Sequence, residues 1–315
     1  MQDLIPLAPV AFGWVVASPR LITAPPSFAR TCAPAPAAST RRRRGAFRRW
    51  TAHGTRAGAG PSRRHRYPIP ILGRLGVSQR VREMAWQAFN HIGIRVVTFS
   101  IVARCARTNQ VGVAAATAVQ AVGKLACHAI ANVGAIASQA VTNPYLAYDG
   151  LRLLERGFPA EEALRRVLAT DADADKRQVG VIDIHGRTAA WTGSEAIRWA
   201  GHLVGRNCSV QGNRLAGPQV LERALASMHS TEHLDLAERL AIALLAGDAA
   251  GGDLKGERSV NVLVFSSEEY ALCDIRIDDH ESPMDELRRL FAVYQTKILP
   301  IVSALPKRSD IPQPD

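Results

Sequence analysis

The feature that most limits what this chain can fold into is an abrupt change of character near residue 98. Residues 1–97 hold 16 Arg, no Lys and only two acids, Asp3 and Glu83, a net charge of +14. The rest of the chain carries 23 basic and 26 acidic side chains, a net charge of −3. The overall +11 is therefore a property of the leading segment, and the body is mildly acidic. Charge that attracts phosphates must sit on the part that folds, so this distribution argues against a nucleic-acid enzyme.

The stretch Ala33–Arg74 is dominated by Ala, Pro, Gly and Arg, with the runs Arg41–Arg44 and Arg63-Arg64, and has no helical or strand period. Such a composition buries too little apolar surface to offset chain entropy. Leu4–Ala17 is apolar but makes a poor secretory signal. Pro6 and Pro9 interrupt it, and Asp3 stands where a positive charge belongs. An organellar leader or a nucleic-acid tail would fit an Arg-rich, acid-poor segment. Arg without Lys, beside excess Ala, Pro and Gly, is also what GC-rich DNA yields when read upstream of a true start, and that is the expectation adopted. Ser78–His91, which reads as a short helix, argues the other way. The predicted organisation is a disordered leader over 1–97, one domain over 98–305 and a loose tail over 306–315.

The body is long enough to bury a core without covalent staples. It has no run of about 20 apolar residues, so no transmembrane helix and no membrane partner are expected. Cys105, Cys127, Cys208 and Cys273 form no C-x-x-C pair and have no zinc-ligand spacing. They read as reduced core thiols in a cytoplasmic protein. Alternating or continuous apolar runs predict strands at Thr98–Arg104, Gln110–Val119, Asn132–Val141, Cys208–Gln211, Arg258–Ser266 and Ala271–Asp278. Gln178–Ile184 and Arg187–Thr192 flank His185-Gly186 as a hairpin. Helices are predicted from Pro144, with Asn143 as N-cap, to about Arg156, from Pro159 onward, and over Gly217–Met228 and Leu234–Ala246. Another is predicted after Ser282-Pro283-Met284-Asp285, read as a capping box. Strands cluster and helices come in pairs, so a βαβ parallel sheet does not fit. The predicted class is α+β: a four-layer αββα sandwich with two stacked, mainly antiparallel sheets between helix pairs.

Several short motifs then occur in an order that resembles one bacterial family. They include Thr98-Phe-Ser-Ile-Val-Ala-Arg104, Gly112-Val-Ala, Ser138-Gln139-Ala, Asn143-Pro144, Gly180-Val181 and Trp199-Ala-Gly-His202. Gln211-Gly-Asn213, Gly247-Asp-Ala-Ala-Gly-Gly-Asp253 and Asp278-Asp-His280 follow. Over about residues 98–294 the chain resembles the family called domain of unknown function 1028, regarded as similar to the N-terminal-nucleophile (Ntn) hydrolases. The resemblance implies the αββα sandwich reached above. It also implies a chain starting at Thr98, because the family's first motif follows its initiator Met, and Val97 is what a GTG start codon would be translated to. The chain departs from its relatives at Cys105, commonly Asp there, and at Thr117-Ala118, often a polar and then a basic residue.

An Ntn hydrolase uses the side chain of its first residue as nucleophile, so the resemblance makes Thr98 the catalytic residue. A free α-amino group, with a pKa near 8, can take the hydroxyl proton. Gln211 and Asn213 around a glycine would stabilise an oxyanion, with Gln139 and Asn143 near the substrate. Each of these amides can equally cap a turn. Gly251 and Gly252 would let backbone approach a ligand, and Asp253 would orient it, although a helix C-cap followed by an Asx turn explains the same residues. Asp278, Asp279 and His280 invite a metal reading, but dipole complementation of the next helix accounts for them. No metal and no cofactor is expected. The expected function is amidohydrolysis of a small amide or γ-glutamyl-like bond, by a protein that pairs as a dimer and binds no nucleic acid. The alternative is a non-catalytic Ntn-like domain that binds a small ligand or serves in an assembly.

Overall fold

The structure, a computed structural model, describes residues 95–96 and 98–312. The expectations for residues 1–94, the Ser78–His91 helix among them, lie outside the described residues. Strands β1 (Arg95–Val96), β2 (Thr98–Arg104) and β3 (Val111–Thr117) come first, then a single turn of helix, α1 (Val122–Leu125). β4 (Cys127–Ile130) and β5 (Gly134–Val141) form a hairpin, followed by α2 (Pro144–Glu155) and α3 (Ala160–Ala169). β6 (Arg177–Asp183), β7 (Thr188–Thr192), β8 (Gly201–Gly205) and β9 (Cys208–Gly212) lead to α4 (Gln219–Ser230) and α5 (Leu236–Ala249). β10 (Ser259–Phe265), β11 (Ala271–Ile277), α6 (Pro283–Val293) and α7 (Leu299–Ser303) complete the domain.

The strands form two wholly antiparallel sheets. One runs β11-β10-β3-β2-β9-β8. The other runs β5-β6-β7, with β4 and β1 both lying along the free edge of β5. Three apolar clusters form around them. The first joins the outer face of the six-stranded sheet, through Phe99, Ile101, Val210 and Val262, to α4, α5 and α6. The second joins Ile136, Val179 and Val181 of the other sheet to α2 and α3. The third fills the space between the sheets with Val102, Val113, Ala135, Ala137 and Ile182. The protein is thus a mixed α+β fold with two antiparallel sheets and helices.

The strand alternation reads well against this frame, and β2 begins and ends where the pattern placed it. The predicted strand at Asn132–Val141 shortens to β5. Asn132 instead takes a positive φ of 60° in the turn after β4, which was not foreseen. Four residues, Cys127–Ile130, are too few to show a period. β8, Gly201-His-Leu-Val-Gly205, was missed because glycines at both ends leave Leu203 as the one apolar side chain on its inner face. Asn143 caps α2 as predicted, its side-chain oxygen accepting from Tyr145 N at 3.1 Å. Ser282 does stand at the N-cap of α6, but its side chain makes no capping bond, so the capping-box reading is corrected. The tail contacts the body at Arg308. That residue's N–H donates to Glu268 and its guanidinium pairs with Glu269 at 2.7 Å, both in the turn between β10 and β11.

Close approach between the sheets depends on Gly180 of β6, which faces the side chain of Gln211 on β9. A Cβ at residue 180 would run into that amide. Gln211 is fully buried and held by Ser100 and Ser209, so it cannot swing away. Gly180→Ala is expected to destabilise the fold by about 1–3 kcal/mol through overpacking, read from urea unfolding. An unchanged midpoint would show that the Gln211 amide is free to move.

Candidate functional site

Alternation along the strands sends every second residue into the space between the sheets. From β2 these are Thr98, Ser100 and Val102; from β9, Ser209 and Gln211; from β5 and β6, Gln139 and Gln178. Towards the C-terminal end of β2 the interlayer is apolar. Towards Thr98 it is a layer of side-chain amides and hydroxyls, with Thr98, Ser100, Gln139, Gln178, Ser209 and Gln211 all fully buried.

Buried amides need partners, and these find them in one another. Gln139 Nε2 donates to Gln178 Oε1 at 2.8 Å and to Thr98 O at 3.1 Å, and approaches Gln211 O at 3.3 Å. All three partners are acceptors, which fixes the orientation of the amide. Gln178 Nε2 donates to Thr192 Oγ1, Gly201 O and Gly212 O, each at 2.9 Å. Asn213 Nδ2 donates to Gln178 Oε1 at 3.1 Å, and Asn213 N donates to Thr98 O at 3.1 Å. Gln211 lies beside the others with its own circuit: Nε2 donates to Ser100 Oγ at 2.7 Å, and Oε1 accepts from Ser209 Oγ at 2.9 Å. The carbonyl of Thr98 is therefore clamped by Gln139 and Asn213.

Two atoms of this layer have no hydrogen-bond partner among the described residues: Thr98 Oγ1 and Gln139 Oε1. An unsatisfied buried polar atom costs about 1–3 kcal/mol, so two in one layer are a notable expense for the fold. Next to Gln139, Ala140 adopts a left-handed φ of 69°, which costs an L residue about 1–2 kcal/mol. Ala140 and Asn213 help line a narrow cleft of about 30 Å³, room for a water or two. β1 crosses its margin, pairing Val96 with Ala140 and Arg95 with Val141.

Of the residues singled out in the sequence, Thr98, Gln139, Gln211 and Asn213 come together. Asn143 does not join them. Its amide is divided between the start of α2 and Asp171, to which Nδ2 donates at 2.9 Å. Asp171 is in turn held by the buried Arg177, whose guanidinium keeps its carboxyl below the usual range despite burial. Gly251 and Gly252 close the end of α5. Gly251 N donates to Asp248 O at 2.9 Å and Gly252 N to Gly247 O at 3.2 Å, with φ of 120° and 45°. Their N–H groups thus serve the helix end and are not left for a ligand. Asp253 is buried and accepts from Lys255 N, Ala118 N and Arg214. It sits just beyond Thr117, the cross-strand partner of Thr98. Asp278 and Asp279 pair with Arg276 and Arg258, and His280 Nδ1 accepts from Ser282 N. Among the described residues no group of three or more His, Cys, Asp or Glu is arranged to hold a metal ion. His202 is exposed, with Nδ1 2.9 Å from Thr192 Oγ1, which links it to the amide layer through Gln178.

Gln178 was missed, although it is the hub of the layer. The signal was available: a glutamine in phase with Gly180 and Ile182, directly ahead of the apolar run Val179–Ile182. The carboxylate of Glu257 was missed too. It accepts from Asp253 N at 2.8 Å, and burial together with the neighbouring Asp248 carboxyl pushes its pKa up to about 7.

That shift has a definite sign. A carboxyl whose pKa is higher in the folded protein than the unfolded value near 4.5 binds more protons when folded, so stability falls as pH rises from about 4.5 to about 7. Glu257→Gln, which cannot ionise, is expected to flatten this part of the pH–stability curve and to be at least as stable as the parent at pH about 8. Urea melts of both proteins across that window check it. Parallel curves would place the titration elsewhere.

Comparison with known proteins places this architecture. The family model described as a family of unknown function (DUF1028) matches residues 98–287. A crystal structure of a Silicibacter pomeroyi protein of the same family superposes with a TM-score of 0.63 at 29% identity, covering 68% of this chain and 97% of that one. None of the curated proteins compared with the chain matches it. The matched span begins at Thr98, the residue whose carbonyl the amide layer clamps, and the chain belongs to DUF1028, a family of unknown function.

Proposed function

We propose that the domain is an N-terminal-nucleophile amidohydrolase built on a four-layer αββα sandwich, acting on a small amide or γ-glutamyl-like bond. One observation carries this reading. The hydroxyl of Thr98 is fully buried without a hydrogen-bond partner among the described residues, on a residue whose backbone is fixed from two sides by Gln139 and Asn213. A threonine serving the polar layer alone would be expected to donate to something within it. The three apolar clusters, two between helices and sheets and one between the sheets, are the cores such a sandwich needs.

In this mechanism the chain starts at Thr98. The free α-amine takes the proton of Oγ1 as that oxygen attacks the amide carbonyl carbon. The amine then returns the proton to the leaving nitrogen as the C–N bond breaks. Water hydrolyses the resulting ester with the same amine as base. Gln139 Oε1, an acceptor without a partner beside Thr98 O, is suited to hold the α-amine in place. Asn213 and Gln139 act through the Thr98 backbone, and Gln211 through Ser100, so they are positioning residues in this reading. We place the protein in the cytoplasm as a dimer.

A second reading, a non-catalytic domain, is favoured by the same amides being spent on one another beside a cleft too small for an organic substrate. The N-terminus separates the two. Protein beginning at Thr98, protein carrying one extra residue ahead of it, and Thr98→Ala and Thr98→Ser in the first form would be treated with a β-lactone and with a panel of γ-glutamyl anilides. The exact form should gain the mass of one acyl group and release aniline. The Ser variant should keep measurable activity. The Ala variant and the extended protein should lose on the order of 10³-fold, with Thr98→Ala costing about 1 kcal/mol or less in stability. Equal turnover by the extended and exact forms would rule out the α-amine as base.

A further inference from the structure

At the far end of β2 from Thr98, six residues and about 20 Å along the strand, lies a cleft of about 290 Å³ that the reading above does not use. Arg104, Arg107, Arg206 and Arg239 line it, with Glu232 as the one acid among its described lining residues and Cys105 in its wall. Four guanidinium groups gather in one cleft of a body whose net charge is −3.

Their pairing is incomplete. Arg206 is bonded to Glu232 at 2.5 Å. Arg107 spends its N–H groups on the carbonyls of Glu232, His233 and Leu234, which occupies the donors and leaves the charge unneutralised. Arg104 is half-buried and reaches the exposed Asn109 Oδ1 through Nη2, while its Nε, itself buried, has no partner among the described residues. Arg239, on the first turn of α5, is only 4% exposed. Its Nη2 donates to Met228 O at 2.9 Å, its Nε has no partner, and no carboxylate among the described residues lies within 4.0 Å of it. A buried cation is tolerated when it is paired and hydrogen-bonded, and removing its partner is strongly destabilising. Guanidinium groups also hold oxyanions through two parallel N–H bonds, a geometry suited to phosphate.

We propose that this cleft is a binding site for a small phosphate-bearing molecule, whose oxyanion is held by Arg239 and Arg104 and neutralised further by Arg107 and Arg206. The space accommodates a phosphate with a short organic substituent and is at the small end for a ligand pocket. Glu232 at the rim opposes a highly charged ligand and limits affinity.

The full chain is titrated with inorganic phosphate and with glycerol 3-phosphate by calorimetry and thermal melting, against chloride at matched ionic strength. Vesicles with an anionic phospholipid form a further arm. Saturable binding of the soluble phosphates, with a rise in Tm that chloride does not reproduce, is expected. Arg239→Met should weaken phosphate binding about tenfold or more and should be no less stable than the parent in phosphate-free buffer, because it removes an unpaired buried charge. If that variant fails to fold, two exposed changes decide: Arg206→Ala should weaken binding several-fold and Glu232→Gln should tighten it. The proposal is overturned by phosphate affinity weaker than about 10 mM, by an equal response to chloride, by affinity indifferent to all three substitutions, or by binding to vesicles alone.

Discussion

Burial of neutral amides between two sheets is the constraint on which the rest of this structure rests. Gln139 and Gln178 are directly opposite one another across β5 and β6, and Ser100 and Gln211 are opposite across β2 and β9. A slip of one residue in either pairing would turn these side chains to the outer faces, against helices that need Phe99, Val179 and Val210 there. The polar layer and the apolar clusters therefore enforce the same register. The amides add a demand the apolar residues do not make. They must meet at hydrogen-bond distance, so the two sheets have one permitted stacking at this end. Gly180 makes that stacking close enough, by leaving its Cβ space to Gln211.

Within this layer the pattern of satisfaction is uneven, and the unevenness is informative. Gln178 uses its amide on five partners, whereas Thr98 Oγ1 and Gln139 Oε1 have none. Both lie where β5 leaves regular geometry at Ala140 and where β1 crosses the cleft. Unsatisfied atoms and a left-handed alanine next to one another are the kind of local cost that a fold removes unless the arrangement has a use. The same cannot be said of Asn143 or the Gly251-Gly252 pair. Their polar groups are spent on helix ends, a complete structural explanation.

Strands and helices were legible where a period runs for five residues or more. β2, β9, the β6–β7 hairpin and the paired helices follow directly from alternation, from Pro144 and from the stop at Gly157. β4 and β8 were not, because Cys127–Ile130 is a bare four residues and the inner face of β8 is Gly201, Leu203 and Gly205, and both are fixed by a neighbour's edge. The candidate site was half legible. Gln139, Gln211 and Asn213 could be singled out as amides at the ends of apolar strands, and Thr98 through the resemblance. Their partners could not, since Gln178 meets Gln139 only through sheet pairing and Asn213 only through stacking. Nearness in sequence likewise does not make a cluster. Asp278, Asp279 and His280 are consecutive, yet each turns to a different neighbour.

The two ends of β2 treat buried polarity in opposite ways. At Thr98 the buried groups are neutral, so a missing partner costs the desolvation of one dipole and the fold can carry it. At Arg104 the strand opens on guanidinium groups, for which the cost of burial is set by net charge and not by donor count. Carbonyls can occupy the N–H groups of Arg107, but only a negative charge cancels the field that four arginines set up together. The body holds acids enough to do this, 26 against 23 bases. It nevertheless places Asp248, Asp253 and Glu257 at the other end of the six-stranded sheet, crowded enough that Glu257 resists ionisation. At that end Arg214 and Arg258 answer Asp253 and Asp279, so what remains crowded there is Asp248 beside Glu257, whereas four arginines at the Arg104 end share Glu232.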